Sequence, residues 1–138
     1  MTKIIPDTNI FIGWLRDSKH SDLLFGPGRV RYLSSIVAME LYAGAHRKKD
    51  REDVDRIYNI FNKTRRIVVP EKSMFPKAGL ILDELRTRRG YDLKKRASLS
   101  HDVLIALSAL SIGAIVITEN HKDFDAIQKF AGTKFVTP

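Results

Sequence analysis

The feature that most constrains the fold is an alternation of short β-branched runs with segments of helical period. Lys3 to Asp7, Val30 to Ser34, Ile67 to Val69, Ala114 to Thr118 and Lys134 to Val136 read as strands. Between them, apolar residues recur at helical spacing. Helices are expected over Asn9 to Arg16 with Thr8 as the cap, over Ser35 to Ala45, and over Asp50 to Asn62, where Val54, Ile57, Tyr58 and Phe61 share a face. Further helices are expected over Lys72 to Arg89, closed by Gly90, over Leu99 to Ile112, closed by Gly113, and over Phe124 to Phe130. Gly26-Pro27-Gly28 is turn punctuation. Strands separated by helices join as crossovers rather than hairpins, which implies a parallel sheet covered on both faces. A chain of 138 residues with no repeat and no Pro/Gly-rich linker forms one domain, residues 1–138.

Ligand chemistry in such a sheet collects at the carboxyl ends of the strands, and several acids map there. Asp7 ends the first strand after an apolar approach. Glu40 interrupts the apolar Ile36-Val37-Ala38-Met39-Glu40-Leu41 of the helix after the second strand. Asp102 opens the most apolar helix, with Ser98 or Ser100 as its cap, and Glu119, Asp123 and Asp125 follow the fourth strand. Taken singly, each has a bland reading as a helix cap or a surface pair. Acids gathered at one edge repel one another unless a cation lies between them. Oxygen-only donors select hard ions, so Mg²⁺ or Mn²⁺ is expected, and the absence of Cys together with the lack of a His cluster disfavours Zn²⁺.

The charge balance points to the substrate class. Twenty-four Lys and Arg against sixteen Asp and Glu give a net charge of +8, and most of the bases lie between Arg29 and Arg96. They concentrate in His46-Arg47-Lys48-Lys49-Asp50-Arg51, in Lys63-Thr64-Arg65-Arg66, and in Arg86-Thr87-Arg88-Arg89-Gly90-Tyr91-Asp92-Leu93-Lys94-Lys95-Arg96. Such patches attract phosphate backbones, and Tyr91 within the last is placed to stack on a base. Basic patches around an acidic metal site suggest a phosphodiester polymer as substrate. Without Cys there is no disulfide framework, no thiol nucleophile and no thiol switch. No stretch approaches the about 20 apolar residues of a membrane span, and the first residues lack a signal-peptide layout, so a cytoplasmic protein without membrane partners is expected.

These residues carry a resemblance to the PIN-domain nucleases, and among them to the small VapC-type toxins of toxin–antitoxin pairs. Pro6-Asp7-Thr8-Asn9-Ile10-Phe11-Ile12 resembles the opening Asp-Thr-Asn motif, and Ser35-Ile36-Val37-Ala38-Met39-Glu40-Leu41-Tyr42-Ala43-Gly44 the glutamate helix. His101-Asp102-Val103-Leu104-Ile105-Ala106 resembles the third-acid motif, and Thr118-Glu119-Asn120-His121-Lys122-Asp123-Phe124 the terminal one. Each motif is weak alone; their order and spacing across almost the whole chain make the set specific.

The resemblance implies a three-layer α/β/α sandwich with a short central parallel sheet. It also implies metal-dependent hydrolysis of single-stranded RNA to 5′-phosphate and 3′-hydroxyl ends. Asp7 and Asp102 would be the principal metal ligands, with Glu40 and an acid of the terminal motif completing the catalytic set; Asp123 is chosen over Asn120 and Asp125. Thr8, Thr118 and Asn120 would hold a water or a phosphate, and Arg88, Arg89, Lys94 and Lys95 would track the RNA backbone. Implied partners are a cognate antitoxin, a second copy of the chain, and operator DNA reached only through the antitoxin. Two departures stand out. His101 replaces the usual Asn before the third acid, as a substrate contact, as a group that shifts the local pKa, or as a plain surface residue, and Pro6 removes an N–H at a strand end, where the loss is tolerable.

Rival readings meet obstacles in the same residues. A His-Asp phosphohydrolase would use His101-Asp102, but it needs an all-helical fold and an upstream partner His, for which only His20 and His46 stand. A phosphoacceptor domain needs an Asp after the third strand, where the chain has Val69-Pro70-Glu71. The alternative from another class is a non-catalytic RNA- or protein-binding module on the same fold.

Overall fold

The computed structural model describes residues 1–94 and 96–138. The chain runs β1 (Thr2–Pro6), α1 (Thr8–Asp17), α2 (Ser21–Phe25), β2 (Arg29–Arg31), β3 (Leu33–Ser34) and α3 (Ser35–Gly44). It continues through α4 (Lys48–Lys63), β4 (Ile67–Val68), α5 (Met74–Arg89), α6 (Leu99–Ser111), β5 (Ile115–Ile117), α7 (His121–Ala131) and β6 (Phe135–Val136). Every strand pair is parallel, as the crossovers require. The main sheet has the order β2-β1-β5-β6, and β3 pairs with β4 in a second, two-stranded sheet.

Strands β1 and β5 are central, and Ile4, Ile5, Val116 and Ile117 are buried within the α/β core. Helices α5, α6 and α7 pack on one another, α3 packs against α1 and α4, and α3 also touches α6. Helix α6 is buried at Leu99 and throughout 102–109, which explains why its sequence is apolar all round rather than along one stripe. The adjacency of β1 and β5 matters most for function. It sets Pro6 opposite Ile117, so that Asp7 and Thr118, 111 residues apart in sequence, leave neighbouring strand ends together.

Several local expectations are corrected. The run Val30 to Ser34 is two strands, because the chain changes partner within it: the Tyr32 N–H donates to Ile4 in β1, and the Leu33 N–H donates to Arg66 just before β4. The single-turn helix α2 was not expected; five residues are too few to show a period. Asp7, rather than Thr8, is the cap of α1, with its carboxylate accepting from the Thr8 N–H. Neither Ser98 nor Ser100 caps α6 through its side chain, since Ser98 makes no capping bond and Ser100 donates to the Ala97 carbonyl. Helix α5 starts at Met74, two residues later than expected, with Pro76 in the first turn where no intrahelical N–H is needed. Helix α7 starts at His121, three residues earlier than expected, which places Asp123 in its first turn. Pro6 costs no ladder bond: β2 pairs with β1 only up to Ile4, and on the β5 side the ladder continues through the Asp7 N–H to the Ile117 carbonyl at 2.8 Å.

Candidate active site

Strand β1 ends in the turn that caps α1, and this turn fixes the Asp7 carboxylate. Its Oδ1 accepts from the Thr8 N–H at 2.8 Å, and its Oδ2 accepts from the Thr118 hydroxyl at 2.7 Å. The Asn9 amide braces the same corner, donating to Thr118 Oγ1 at 3.2 Å and accepting the Glu119 N–H at 3.1 Å. Asp7 is only 4% exposed. Burial pushes its carboxyl above the ordinary value; the hydrogen bonds from Thr118 and Thr8 oppose that rise, and the nearby Glu40 charge adds to it.

Glu40 reaches the corner from α3. The Thr8 hydroxyl donates to Glu40 Oε1 at 2.8 Å, and His101 Nδ1 lies 3.4 Å from Glu40 Oε2. The His101 ring thus stands beside an acid of the cluster. Asp102 projects from the first turn of α6 and is 9% exposed. Its pKa is pushed up to about 8, first by burial and then by the charges of Asp7, Glu40 and Asp123, with Arg96 opposing them. Four acids, Asp7 at the cap of α1, Glu40 on α3, Asp102 on α6 and Asp123 on α7, thus share one field.

Asp123 is held differently. It is 1% exposed, and its carboxylate accepts from the Tyr91 hydroxyl at 2.8 Å, from the Asn120 amide at 2.9 Å, and from the Arg96 guanidinium in an ion pair. The Asn120 amide also lies 3.4 Å from Asp102 Oδ2, which links Asp123 to the cluster. Asp125 turns instead to Gln128.

The remaining sequence candidates divide by position. Thr8 and Asn120 lie within the cluster, and Thr118 is fully buried with its hydroxyl given to Asp7. Arg88 is exposed on α5 and paired with Glu84 at 2.7 Å; Arg89 and Lys94 are exposed beyond it. Lys95 lies outside the described residues. Sequence reasoning missed the bracing by Asn9 and the pairing of Arg96 with Asp123. The first was visible as the third residue of the opening motif. The second joins residues 27 apart and has no local pattern.

No group of three His, Cys, Asp or Glu among the described residues is spaced as a ready-made ion cage. Nor does any buried side-chain N or O among them lack a hydrogen-bond partner. The cluster is thus satisfied in hydrogen bonds but not in charge. Oxygen donors with excess negative potential fit a hard divalent cation whose remaining ligands are waters. Among the described residues, Asp7 and Asp102 are the two buried carboxylates without a cation bonded to them.

The model of the PIN domain matches residues 4–129. The chain belongs to the PIN-domain family. PIN domains are nucleases that generally use divalent metal ions. Solved structures share this PIN fold across nearly the full length. A chain of VapBC2 from Rickettsia felis, bound to a DNA fragment from its promoter, superposes with a TM-score of 0.69 at 24% identity, covering 99% of each chain. VapBC-1 from nontypeable Haemophilus influenzae gives 0.68 at 24% identity, over 99% of this chain and 98% of the other. DNA-bound VapBC from Salmonella typhimurium gives 0.69 at 24% identity, with the same coverage. At these identities the likeness concerns the fold. No curated protein matches the sequence.

Proposed function

We propose that this PIN domain is a metal-dependent endoribonuclease that cleaves single-stranded RNA and serves, in the cytoplasm, as the toxin of a toxin–antitoxin pair. The observation that carries the nuclease reading is the convergence of Asp7, Glu40 and Asp102 at one corner of the fold, where burial first, and then the charges of Asp7, Glu40 and Asp123, push the Asp102 carboxyl up to about 8. A site that holds its carboxylates against their mutual repulsion, in a family of nucleases, fits Mg²⁺ or Mn²⁺ held by Asp7 and Asp102.

Such an ion would supply a polarised water and positive charge beside the phosphoryl oxygens. This chain's residues would do the rest. Thr118 and the Thr8 N–H fix the orientation of Asp7. The Thr8 hydroxyl and the His101 ring hold Glu40 at the rim, where its carboxylate can take the proton of an attacking water. Asp123, on α7, stands at the edge of this set, bonded to Arg96 and Tyr91. Attack at phosphorus breaks the bond to the 3′ oxygen, which takes a proton and leaves as a hydroxyl, while the phosphate stays on the 5′ end.

The partners follow the same reading. Structures of like fold include VapBC complexes on promoter DNA. By that likeness we assign this chain a cognate antitoxin and operator contact through that antitoxin; the motif resemblance to VapC-type toxins adds a homodimeric state to the proposal. No helix among the described residues is long and apolar enough to cross a membrane.

Purified protein, freed of any co-purified inhibitor, should cut an end-labelled unstructured RNA with Mn²⁺ or Mg²⁺ and not with EDTA, and Asp7→Asn should abolish the cut. Wild-type cutting in EDTA, or undiminished cutting by the variant, would defeat the assignment. A second reading, a non-catalytic RNA- or protein-binding module, draws on the absence of a ready-made three-acid cage among the described residues. It expects no rise of melting temperature with Mn²⁺, whereas a metal site raises it by mass action.

A further inference from the structure

The connection between α5 and α6 carries Tyr91 and Arg96 to the rim of the acidic cluster, and both side chains end on Asp123. The guanidinium carbon of Arg96 lies 5.6 Å from the centroid of the Tyr91 ring, so the cation is stacked on one side and ion-paired through Nη2 on another. Its backbone is fixed as well: the Arg96 N–H donates to Asp92, and the Leu99 N–H donates to Arg96. A long flexible side chain is thereby held in one place without being buried, since Arg96 remains 39% exposed. Its Nε and Nη1 donors have no protein acceptor among the described residues. Arg96 and Asn120 meet at the same oxygen, Asp123 Oδ2, and Asn120 reaches on to Asp102, so the guanidinium stands one residue removed from that buried acid.

We propose that Arg96 is the residue that grips the phosphodiester of the RNA at this site, and that Asp123 is a positioning residue that holds Arg96 rather than a donor to the metal. The inference rests on the nuclease reading. A cluster of carboxylates repels a polyanion, and a fixed arginine beside them offsets that repulsion at the rim while presenting a planar donor set that matches phosphate. Tyr91 and Asp123 act through Arg96. A carboxylate already accepting from a phenol, an amide and a guanidinium has little capacity left for an ion. Arg88 is ion-paired to Glu84 of its own helix, away from the acidic cluster, and Arg89 and Lys94 are exposed, so these three attract the strand without aligning a phosphate at the cluster.

The test separates RNA binding from metal binding. A fluorescein-labelled single-stranded oligouridylate is titrated in EDTA, where no cleavage intervenes, at several salt concentrations, and Mn²⁺ affinity is measured by electron paramagnetic resonance without RNA. Arg96→Gln should weaken RNA binding about tenfold and lower the salt slope by about 0.7, with Mn²⁺ affinity kept or raised. Arg96→Lys should restore the slope but only part of the affinity, because the charge returns without the planar fork. Asp123→Asn should reproduce the RNA defect and retain Mn²⁺ binding. Loss of Mn²⁺ binding in Asp123→Asn would overturn the proposal, and so would RNA binding unchanged in Arg96→Gln. Failure of the wild type to bind RNA at all would instead defeat the nuclease reading, and this inference with it.

Discussion

Asp7 and Asp123 are both buried near the carboxyl ends of β1 and β5, yet they are stabilised by opposite means. Asp7 is surrounded by neutral donors, the Thr118 hydroxyl and the Thr8 N–H, and keeps its charge uncompensated. Asp123 has a cation of its own, Arg96, together with the Tyr91 hydroxyl and the Asn120 amide. Neutral donors hold a carboxylate in place without cancelling its field, so the Asp7 corner is prepared for an external cation. The Asp123 corner already contains one. Two residues of the same type, equally buried, are thus assigned different work by what surrounds them.

The sharpest way to break this contrast is to neutralise the uncompensated side. Asp7→Asn and Asp102→Asn should each lower RNA cleavage by about 1,000-fold or more, with the fold retained and the melting temperature of the metal-free protein unchanged or raised; a wild-type rate in either would dissolve the distinction. Next in size is the paired side. Asp123→Ala strands the Arg96 cation and the Tyr91 hydroxyl, and should cost about 2 kcal/mol in chemical denaturation, less than for a fully buried pair because Arg96 is partly solvated.

The pH dependence sharpens the comparison. Asp102 holds its proton up to about pH 8 in the folded state, whereas an unfolded aspartate releases it near pH 4. Between those values the folded chain binds more protons than the unfolded one, so metal-free stability should fall as pH rises through that window. Denaturation in EDTA at the two ends of the window measures this, and saturating Mn²⁺ should remove the loss. A stability that rises with pH in EDTA would show that the cluster's repulsion is already compensated. The smallest effect is expected from Thr118→Val, which deletes one donor to Asp7 and the acceptor of the Asn9 amide and the Asn120 N–H: about 1 kcal/mol of stability and a several-fold weaker Mn²⁺ affinity.

Much of this was legible in the chain itself. The short β-branched runs and the helical patterns located most of the elements, because each pattern is local. The acids at strand ends were legible too, since a carboxylate after an apolar run has few other reasons to be there. The split of Val30 to Ser34 was not, because it depends on the Leu33 N–H finding Arg66 rather than β1. Nor was the early start of α7, whose cap residue Asn120 makes no side-chain capping bond and donates its amide to Asp123 and Asp102.

By itself, then, the sequence determined the α/β class, the parallel crossovers, and the identity of Asp7, Glu40 and Asp102 as candidates, all of which follow from residue type and spacing along a single element. Tertiary structure alone decided that β1 lies beside β5, that Thr118 orients Asp7, and that Arg96 rather than any nearer base answers Asp123. The reason is physical. Hydrogen bonds and ion pairs act over a few ångströms of space, and residues 27 or 111 positions apart come within that range only after the sheet order has been set by packing.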